Sequence, residues 1–415
     1  MIKTLTDFDQ TINQALEDWH IPGAALAVVK GEEVLHSGGY GFRDVEQGLP
    51  ITENTRFPIA SMTKPFTVMG AALLVDEGLL GWDQPIRDAM PEFRLFDDYA
   101  TQHATLRDLL SHRTGLPRHD STWYGKEKTR QELFEGLRHL KPNAAFRSLW
   151  QYNNLMYETV GLLCAQLTGA NTWEDFVQSR ILDVLGMDAT TPNFDQADDS
   201  RFTDIALPYR LKMGRSTPEK MPFFQNPLGP AGSMHSTLND MVTWLKVHIN
   251  GSPLISPYNL KQMHTPHMLM PASAQQEQMF NHNVFAYGMG WFIEPYQGVT
   301  LLHHGGNING FSLMAGFVPQ EQVAVVVLTN IDAKGLRTAL LYEAIDRALG
   351  VDSSRSKNWS SVFHTANNKL VEAAMKAGKS SEQDRVASAP ASHPPEAYAG
   401  SYGAPGYADI KIKWQ

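Results

Sequence analysis

The apolar positions change period along the chain. Between Leu5 and Trp19 they fall at Leu5, Phe8, Ile12, Ala15, Leu16 and Trp19, the spacing of one helix face, with Pro22 just past the end. Ala24 to Val29 and Glu33 to Gly38 then predict two strands, joined at the hairpin signal Lys30-Gly31-Glu32. Strand patterns return late, at Gly288 to Glu294, Val299 to His303, Phe311 to Val318 and Val323 to Thr329. The unbroken apolar run from Val323 to Leu328 suits a central strand buried on both faces. A helix from about Gly335 to Leu349 closes this part.

The stretch between these strand-rich ends, about Ser61 to Asn281, reads as mostly helical. Tyr157 to Thr168 and Trp173 to Leu185 predict helices, with Gly186 as a C-terminal stop. The expected architecture is mixed α/β (α+β): an antiparallel sheet flanked by helices, contributed by 1–58 and 285–350, with a helical part, 59–284, inserted. Over 351–395 Ser, Lys, Ala and Pro are common, and periodicity weakens apart from a helical stretch near Asn368 to Lys376. This predicts a linker. Tyr398 to Trp414 reads as strand, turn and strand. Two strands alone are marginal in water, so 396–415 either packs on the main body or begins a small β-domain.

Composition narrows the classes. The chain has 415 residues and is 42% hydrophobic, enough for a large core. Acidic residues outnumber basic ones 44 to 35, and no long Lys/Arg run occurs, so no nucleic-acid partner is expected. Met1 to His20 lacks the apolar core of a signal peptide, and no stretch approaches the roughly 20 apolar residues of a membrane helix. The expectation is a soluble protein with no membrane partner, cytoplasmic as written, and periplasmic or secreted if a leader was removed. The single cysteine, Cys164, lies in an apolar run and reads as a buried thiol.

Three short motifs carry candidate chemistry. Ser61-Met62-Thr63-Lys64 opens the helical run Phe66 to Leu74, so a hydroxyl and an amine three residues apart share a face at a helix N-terminus. A desolvated amine can activate a serine. The pattern alone is weak, since about one Ser-x-x-Lys is expected by chance. A second copy, Ser354 to Lys357, lies in the charged stretch without a strand or apolar helix around it. Tyr152-Asn153-Asn154 precedes a helix; a phenol beside a lysine can move protons, and a short amide can orient both lysine and substrate. His303-His304-Gly305-Gly306-Asn307 ends a strand, where glycines let a substrate approach the backbone and a histidine can bind an anion or tune the lysine. If that segment stays extended, His303 and His304 point to opposite faces and make a poor chelating pair. There is no Gly-x-Ser-x-Gly elbow, no His-Glu-x-x-His pair and no cysteine-rich zinc pattern; no cofactor or metal is expected.

The order Ser-x-x-Lys, then Tyr-x-Asn about 90 residues on, then His-Gly-Gly about 150 residues further, resembles the serine β-lactamase and penicillin-binding-protein superfamily, notably its class C β-lactamase-like esterase and D-aminopeptidase branches. Pro22 to Ala25, Leu109 to Pro117, Pro230 to Thr237, Tyr287 to Trp291 and Val327 to Asn330 resemble it too, so the likeness spans about Asp18 to Leu349. The resemblance implies a cleft between the sheet and the helical part. It implies Ser61 as acylated nucleophile, Lys64 as base or activator, Tyr152 as proton shuttle, and Asn154 contacting Lys64 and substrate. His304, with Gly305 and Gly306, would stand where many relatives carry Lys-Thr-Gly, although His303 would fit the register His-x-Gly. The backbone N–H groups of Ser61 and Asn307 would form the oxyanion hole. The division of roles between Lys64 and Tyr152 stays open. His304, whose ordinary titration lies near neutrality, is expected to modulate the pH profile. The implied substrates are small-molecule esters, peptides or β-lactams. The implied activity is a serine hydrolase, or alternatively a penicillin-binding or sensor protein that acylates without efficient turnover. Ala397 to Tyr402 resembles the opening strand of a lipocalin-like domain found on some relatives.

Overall fold

The computed structural model describes residues 4–414 apart from 194–202, 213–214, 225–226, 273–275, 278, 280–282, 353 and 384–388. Helix α1 (Phe8–Asp18) buries Phe8, Ile12, Ala15 and Leu16, the face its spacing predicts. Strands β1 (Gly23–Lys30) and β2 (Glu33–Asp44) turn at Gly31, whose φ of +58 favours glycine, and β3 (Leu49–Pro50) follows. The chain then leaves the sheet for a largely helical region. This holds α2 (Lys64–Asp76), α3 (Asn154–Thr168) and α4 (Leu238–Asn250) among shorter turns. It returns through β4 (Met268–Pro271), β5 (Val284–Tyr287), β6 (Phe292–Tyr296), β7 (Val299–Ile308), β8 (Phe311–Val318) and β9 (Val323–Thr329). Two further helices follow, α5 (Lys334–Ala348) and α6 (Trp359–Gln383).

The sheet order is β3-β2-β1-β9-β8-β7-β6-β5-β4, antiparallel throughout, with Leu26 of β1 opposite Val327 of β9. N- and C-terminal segments meet at its centre, as the discontinuous layout predicts. All seven residues of β9 are buried. Val323, Val325 and Val327 pack with α1 and α5, while Ala324, Val326 and Leu328 face the helical part and its stacked Phe66–Trp244 pair. A strand covered on both faces has no polar side, which is why its sequence shows no alternation.

Three expectations are corrected. The sheet resumes at β4, before 285, because Met268–Pro271 pairs with β5 as a half-exposed edge strand too short to show a clear period. The single strand expected over Gly288 to Glu294 is interrupted. β5 ends at Tyr287, and the chain turns through Gly290, at φ +79 and packed against the Pro65 backbone, before β6 begins. The linker stretch carries the 25-residue helix α6. Its first turns dock: Trp359 is buried, its ring 5.0 Å from Tyr342, and Phe363 stacks on the same tyrosine. Leu370 and Met375 lie exposed, so little apolar period is left to read. The short strands Gly400–Tyr402 and Ile410–Ile412 pair with each other, and the turn between them touches the helical part through a hydrogen bond between Tyr407 and His119. Among the described residues no helix is long and apolar enough to cross a membrane. Cys164 is buried, and burial pushes its thiol up to about 12, the behaviour of a packing residue.

Asp346 ties α6 to the body. Its carboxylate accepts from Tyr296 (2.6 Å), Ser356 (2.5 Å) and Trp359 Nε1 (2.9 Å). Trp359→Ala removes a buried indole and one of these donors, and is expected to cost about 3–5 kcal/mol in chemical denaturation. Removing everything after Leu349 is expected to lower stability by at least as much. A truncated chain as stable as the full one would show that α6 contributes nothing to the core.

Candidate active site

Ser61 follows a strained residue. Ala60 is buried and held at φ +47, a left-handed conformation that a side chain resists, so its surroundings must fix it. The turn Ala60–Thr63 then feeds directly into α2. Lys64, the first residue of α2, has no exposed surface. Its Nζ lies 3.3 Å from Ser61 Oγ and donates to Asn154 Oδ1 (2.8 Å) and to the Ala231 carbonyl (2.7 Å). The rings of Tyr152 and Tyr157 cover it, with centroids at 4.7 and 5.3 Å. Burial drives the amine well below the ordinary lysine value. Arg118 pushes the same way and Asp120 opposes.

Tyr152 is braced on both sides by one residue. His112, itself left-handed at φ +59, accepts the Gln151 N–H on its carbonyl (2.8 Å) and the Asn153 N–H on Nδ1 (3.1 Å). The Tyr152 side chain borders the same cavity as Ser61. Burial raises this phenol well above the ordinary tyrosine value, against the pull of Ser61 and Arg118. Asn153 caps α3 by accepting from Met156 N–H, which places Asn154 in the first turn, facing Lys64. The Asn154 Nδ2 donates to Asp120, and Asp120 pairs with Arg118 at 2.6 Å.

The third motif lies on β7, where alternation separates its residues. His304 and Gly306 face the serine. A Cβ on Gly306 would fall 2.2 Å from the Ile59 carbonyl, so this strand presses against the backbone leading to Ser61. His304 Nδ1 donates to the Gly305 carbonyl (2.8 Å), leaving Nε2 to accept from the Tyr287 hydroxyl (3.1 Å). His303 and Gly305 face the other way, toward Glu294 and Arg337. Asn307 donates through Nδ2 to Ser312 Oγ (2.9 Å). A cavity of about 910 Å³ opens at Ser61 and is walled there by Arg118, Trp150, Tyr152, Phe292 and His304.

Of the candidate residues, Ser61, Tyr152, His304, Gly305 and Asn307 line this cavity, Lys64 and Asn154 stand buried behind Ser61, and Gly306 packs on Ile59. Burial first, then Lys64, hold His304 well below the ordinary histidine value. His112, Arg118, Ala231, Tyr287 and Arg337 were not singled out from the sequence. His112, Ala231 and Tyr287 sit inside the segments Leu109 to Pro117, Pro230 to Thr237 and Tyr287 to Trp291, and Arg118 follows the first directly. Among the described residues, no group of three or more His, Cys, Asp and Glu side chains could hold a metal ion. The second Ser-x-x-Lys is unrelated to the site: Ser354 is exposed, and Lys357 donates to the Met279 carbonyl.

The family model described as Beta-lactamase matches residues 8–349, and the chain belongs to that family of β-lactamase-fold serine hydrolases. It is similar to the unguisins hydrolase ungD' of Aspergillus campestris (strain IBT 28561), 28% identical over 431 residues, 98% of this chain and 77% of the relative. Among solved structures it resembles the octameric penicillin-binding protein homologue from Pyrococcus abyssi, with a TM-score of 0.70, 24% identity, and 85% and 78% of the two chains covered. It also resembles the class C beta lactamase from Rhodobacter sphaeroides, with a TM-score of 0.67, 22% identity, and 82% and 99% covered. At these identities the structural likeness shows a shared fold.

The Gly306 contact gives a test of the geometry. Gly306→Ala forces β7 away from Ile59, because the added methyl meets the Ile59 carbonyl, backbone that cannot swing aside. A displacement near 1 Å is expected to lower ester turnover about 100-fold with the fold retained. Steady-state kinetics with circular dichroism checks this; unchanged turnover would mean that the strand's approach to Ser61 is unimportant.

Proposed function

We propose that the protein hydrolyses esters or amides through an acyl-enzyme on Ser61, with neutral Lys64 as the base for acylation and Tyr152 as the proton donor to the leaving group. The observation that carries this reading is the buried Lys64 amine, 3.3 Å from Ser61 Oγ, with two carbonyl acceptors behind it. A neutral amine has two N–H donors and a lone pair. Donation to Asn154 Oδ1 and the Ala231 carbonyl uses both donors, and the lone pair then faces Ser61. Ser61 Oγ attacks the substrate carbonyl and its proton passes to Lys64. The bond to the leaving group breaks, and the leaving group takes a proton from the Tyr152 hydroxyl, which Lys64 restores. Water then attacks the acyl carbon and the same groups run in reverse, returning Ser61 and free acid. The negative charge on the substrate oxygen is met by the backbone N–H groups of Ser61 and Asn307. Residues 1–350 form the hydrolase unit in this reading.

The pH dependence separates the two candidate bases. The neutral fraction of Lys64 rises with pH, and its lowered pKa brings that rise below the range of free lysine. Tyr152 is shifted upward, so it stays a phenol over the same window. His112 and His304 are shifted down and stay neutral throughout. Acylation by a p-nitrophenyl ester is therefore expected to rise with pH along one limb and level off, the limb belonging to Lys64. Tyr152→Phe is expected to lower the plateau and keep the limb. A limb that vanishes in Tyr152→Phe would make the tyrosinate the base.

With no permanent cation at His304, β-lactams are expected to be poor substrates beside carboxylic esters and D-amino-acid peptides, the two classes that fit a wide, aromatic-walled cavity. The relative's name gives hydrolysis of unguisins, which supports a hydrolase reading for this chain. Ser61→Ala is expected to lower turnover by about 10⁴-fold or more with the fold intact, and Ser354→Ala to leave it unchanged. A fluorescent phosphonate is expected to label the Ser61 peptide alone. Near-normal turnover in Ser61→Ala, or labelling of another serine, would remove the assignment.

A further inference from the structure

The cavity at Ser61 does not end at the serine. Its wall continues around the end of β6 to the opposite face of the sheet, where it is lined by His303, Glu294, Arg337, Tyr342 and Phe363. Strand alternation produces this inner arm. His304 and Gly306 face Ser61, while His303, Phe292 and Glu294 share the face that looks toward α5, with the His303 and Phe292 rings stacked at 5.6 Å.

Glu294 is the unusual group there. It is 2% exposed, yet it borders the cavity. One carboxylate oxygen, Oε1, accepts from the Tyr342 hydroxyl at 2.5 Å and has His303 Nε2 at 3.6 Å. The other oxygen accepts no hydrogen bond among the described residues. No Lys or Arg among them lies within ion-pair distance. Arg337, across the arm, donates through Nη1 to the carbonyls of Gly306 and Leu313, and its Nε has no partner among the described residues. His303 supplies no charge, because burial lowers it to about 4. Burial raises the Glu294 carboxyl to about 7, as expected of a carboxylate with no counter-ion. A buried carboxylate with a free oxygen on a cavity wall is costly unless something pairs with it.

We propose that this inner arm is a substrate subsite for a primary ammonium group, with Glu294 as its partner, so that the preferred acyl chain runs from the Ser61 carbonyl around the sheet edge and ends in an amine. An ammonium supplies the missing charge and donates to the free carboxylate oxygen, and Phe292 and Phe363 cover the methylene chain leading to it. The proposal rests on the acyl-enzyme reading above for the direction of the chain, but binding at Glu294 can be measured without it.

Two measurements decide the matter. The first compares p-nitrophenyl esters of straight-chain ω-amino acids of about six to ten carbons with methyl-terminated esters of equal length. For at least one length the ammonium ester is expected to have a kcat/KM higher by about tenfold or more, and Glu294→Gln is expected to reduce that ratio to within about twofold of unity. General damage to the fold lowers both esters together and leaves the ratio unmoved. The second is calorimetric titration of octylammonium into the Ser61→Ala protein, which reads the arm with no chemistry at the serine. Adding Glu294→Gln is expected to weaken binding about tenfold or more. Octylammonium binding that depends on Glu294 upholds the subsite even if Ser61 turns nothing over. Binding indifferent to Glu294→Gln, or an ammonium preference that survives it, overturns the proposal.

Discussion

Burying the Lys64 amine is the constraint around which the centre of this molecule is organised. An amine without exposed surface needs partners for its N–H groups, and each missing one would cost several times what a surface contact costs. Here the acceptors come from two distant parts of the chain, Asn154 and Ala231, and Ser61 lies one turn away. The helices must meet closely for that to happen. Gly161 of α3 makes room for Pro230, since a Cβ there would sit 2.1 Å from the proline ring, and Thr67 of α2 donates to the Pro230 carbonyl at 2.6 Å. These contacts fix the Ala231 carbonyl in the next peptide. Helix packing, the turn at Pro230 and the serine's position are therefore consequences of one another.

What could be read from the chain follows from how local each signal is. β8 and β9 lie where their apolar runs place them, because a strand buried on both faces advertises itself without help from neighbours. α1 and α5 are legible from one apolar face each. Part of α6 is legible as the helical stretch near Asn368 to Lys376, but its anchoring is not: it depends on Trp359 and Phe363 finding Tyr342, a contact with another helix that no local period reports. The site divides in the same way. Ser61, Lys64 and Tyr152 carry recognisable side-chain chemistry in a recognisable order. Ala231 acts through its backbone carbonyl, and any residue has one. His112 acts by bracing the peptides on either side of Tyr152, so only the folded chain reveals why it is there.

The paired histidines show how a period of two can serve two sides of a sheet. An extended His303-His304 must point in opposite directions, and the next two glycines repeat the division, Gly305 toward Arg337 and Gly306 toward Ile59. Both glycines are spaces that a side chain would fill, one beside a guanidinium and one beside the backbone entering Ser61. The two histidines of the motif differ in the face they occupy. His304 shares the side of Tyr152, with ring centroids 6.3 Å apart, whereas His303 lies toward Glu294.

Burial also sets the charge state of the whole centre, and in one direction. Lys64, His112 and His304 are pushed down and Tyr152 is pushed up, each mainly by desolvation, so every one of them favours its neutral form. Two arginines border this centre, Arg118 with its guanidinium 4.9 Å from the Tyr152 ring centroid and Arg337 bonded to the Gly306 carbonyl. Such an arrangement suits a reaction that begins with a neutral base and an uncharged ester or amide, and that places its negative charge on the carbonyl oxygen only as the bond to serine forms. A lysine held as a permanent ammonium would stabilise that oxygen but could accept no proton. In the proposed reaction a desolvated Lys64 takes the serine's proton, and the ammonium it then becomes meets acceptors already in place at Asn154 and Ala231.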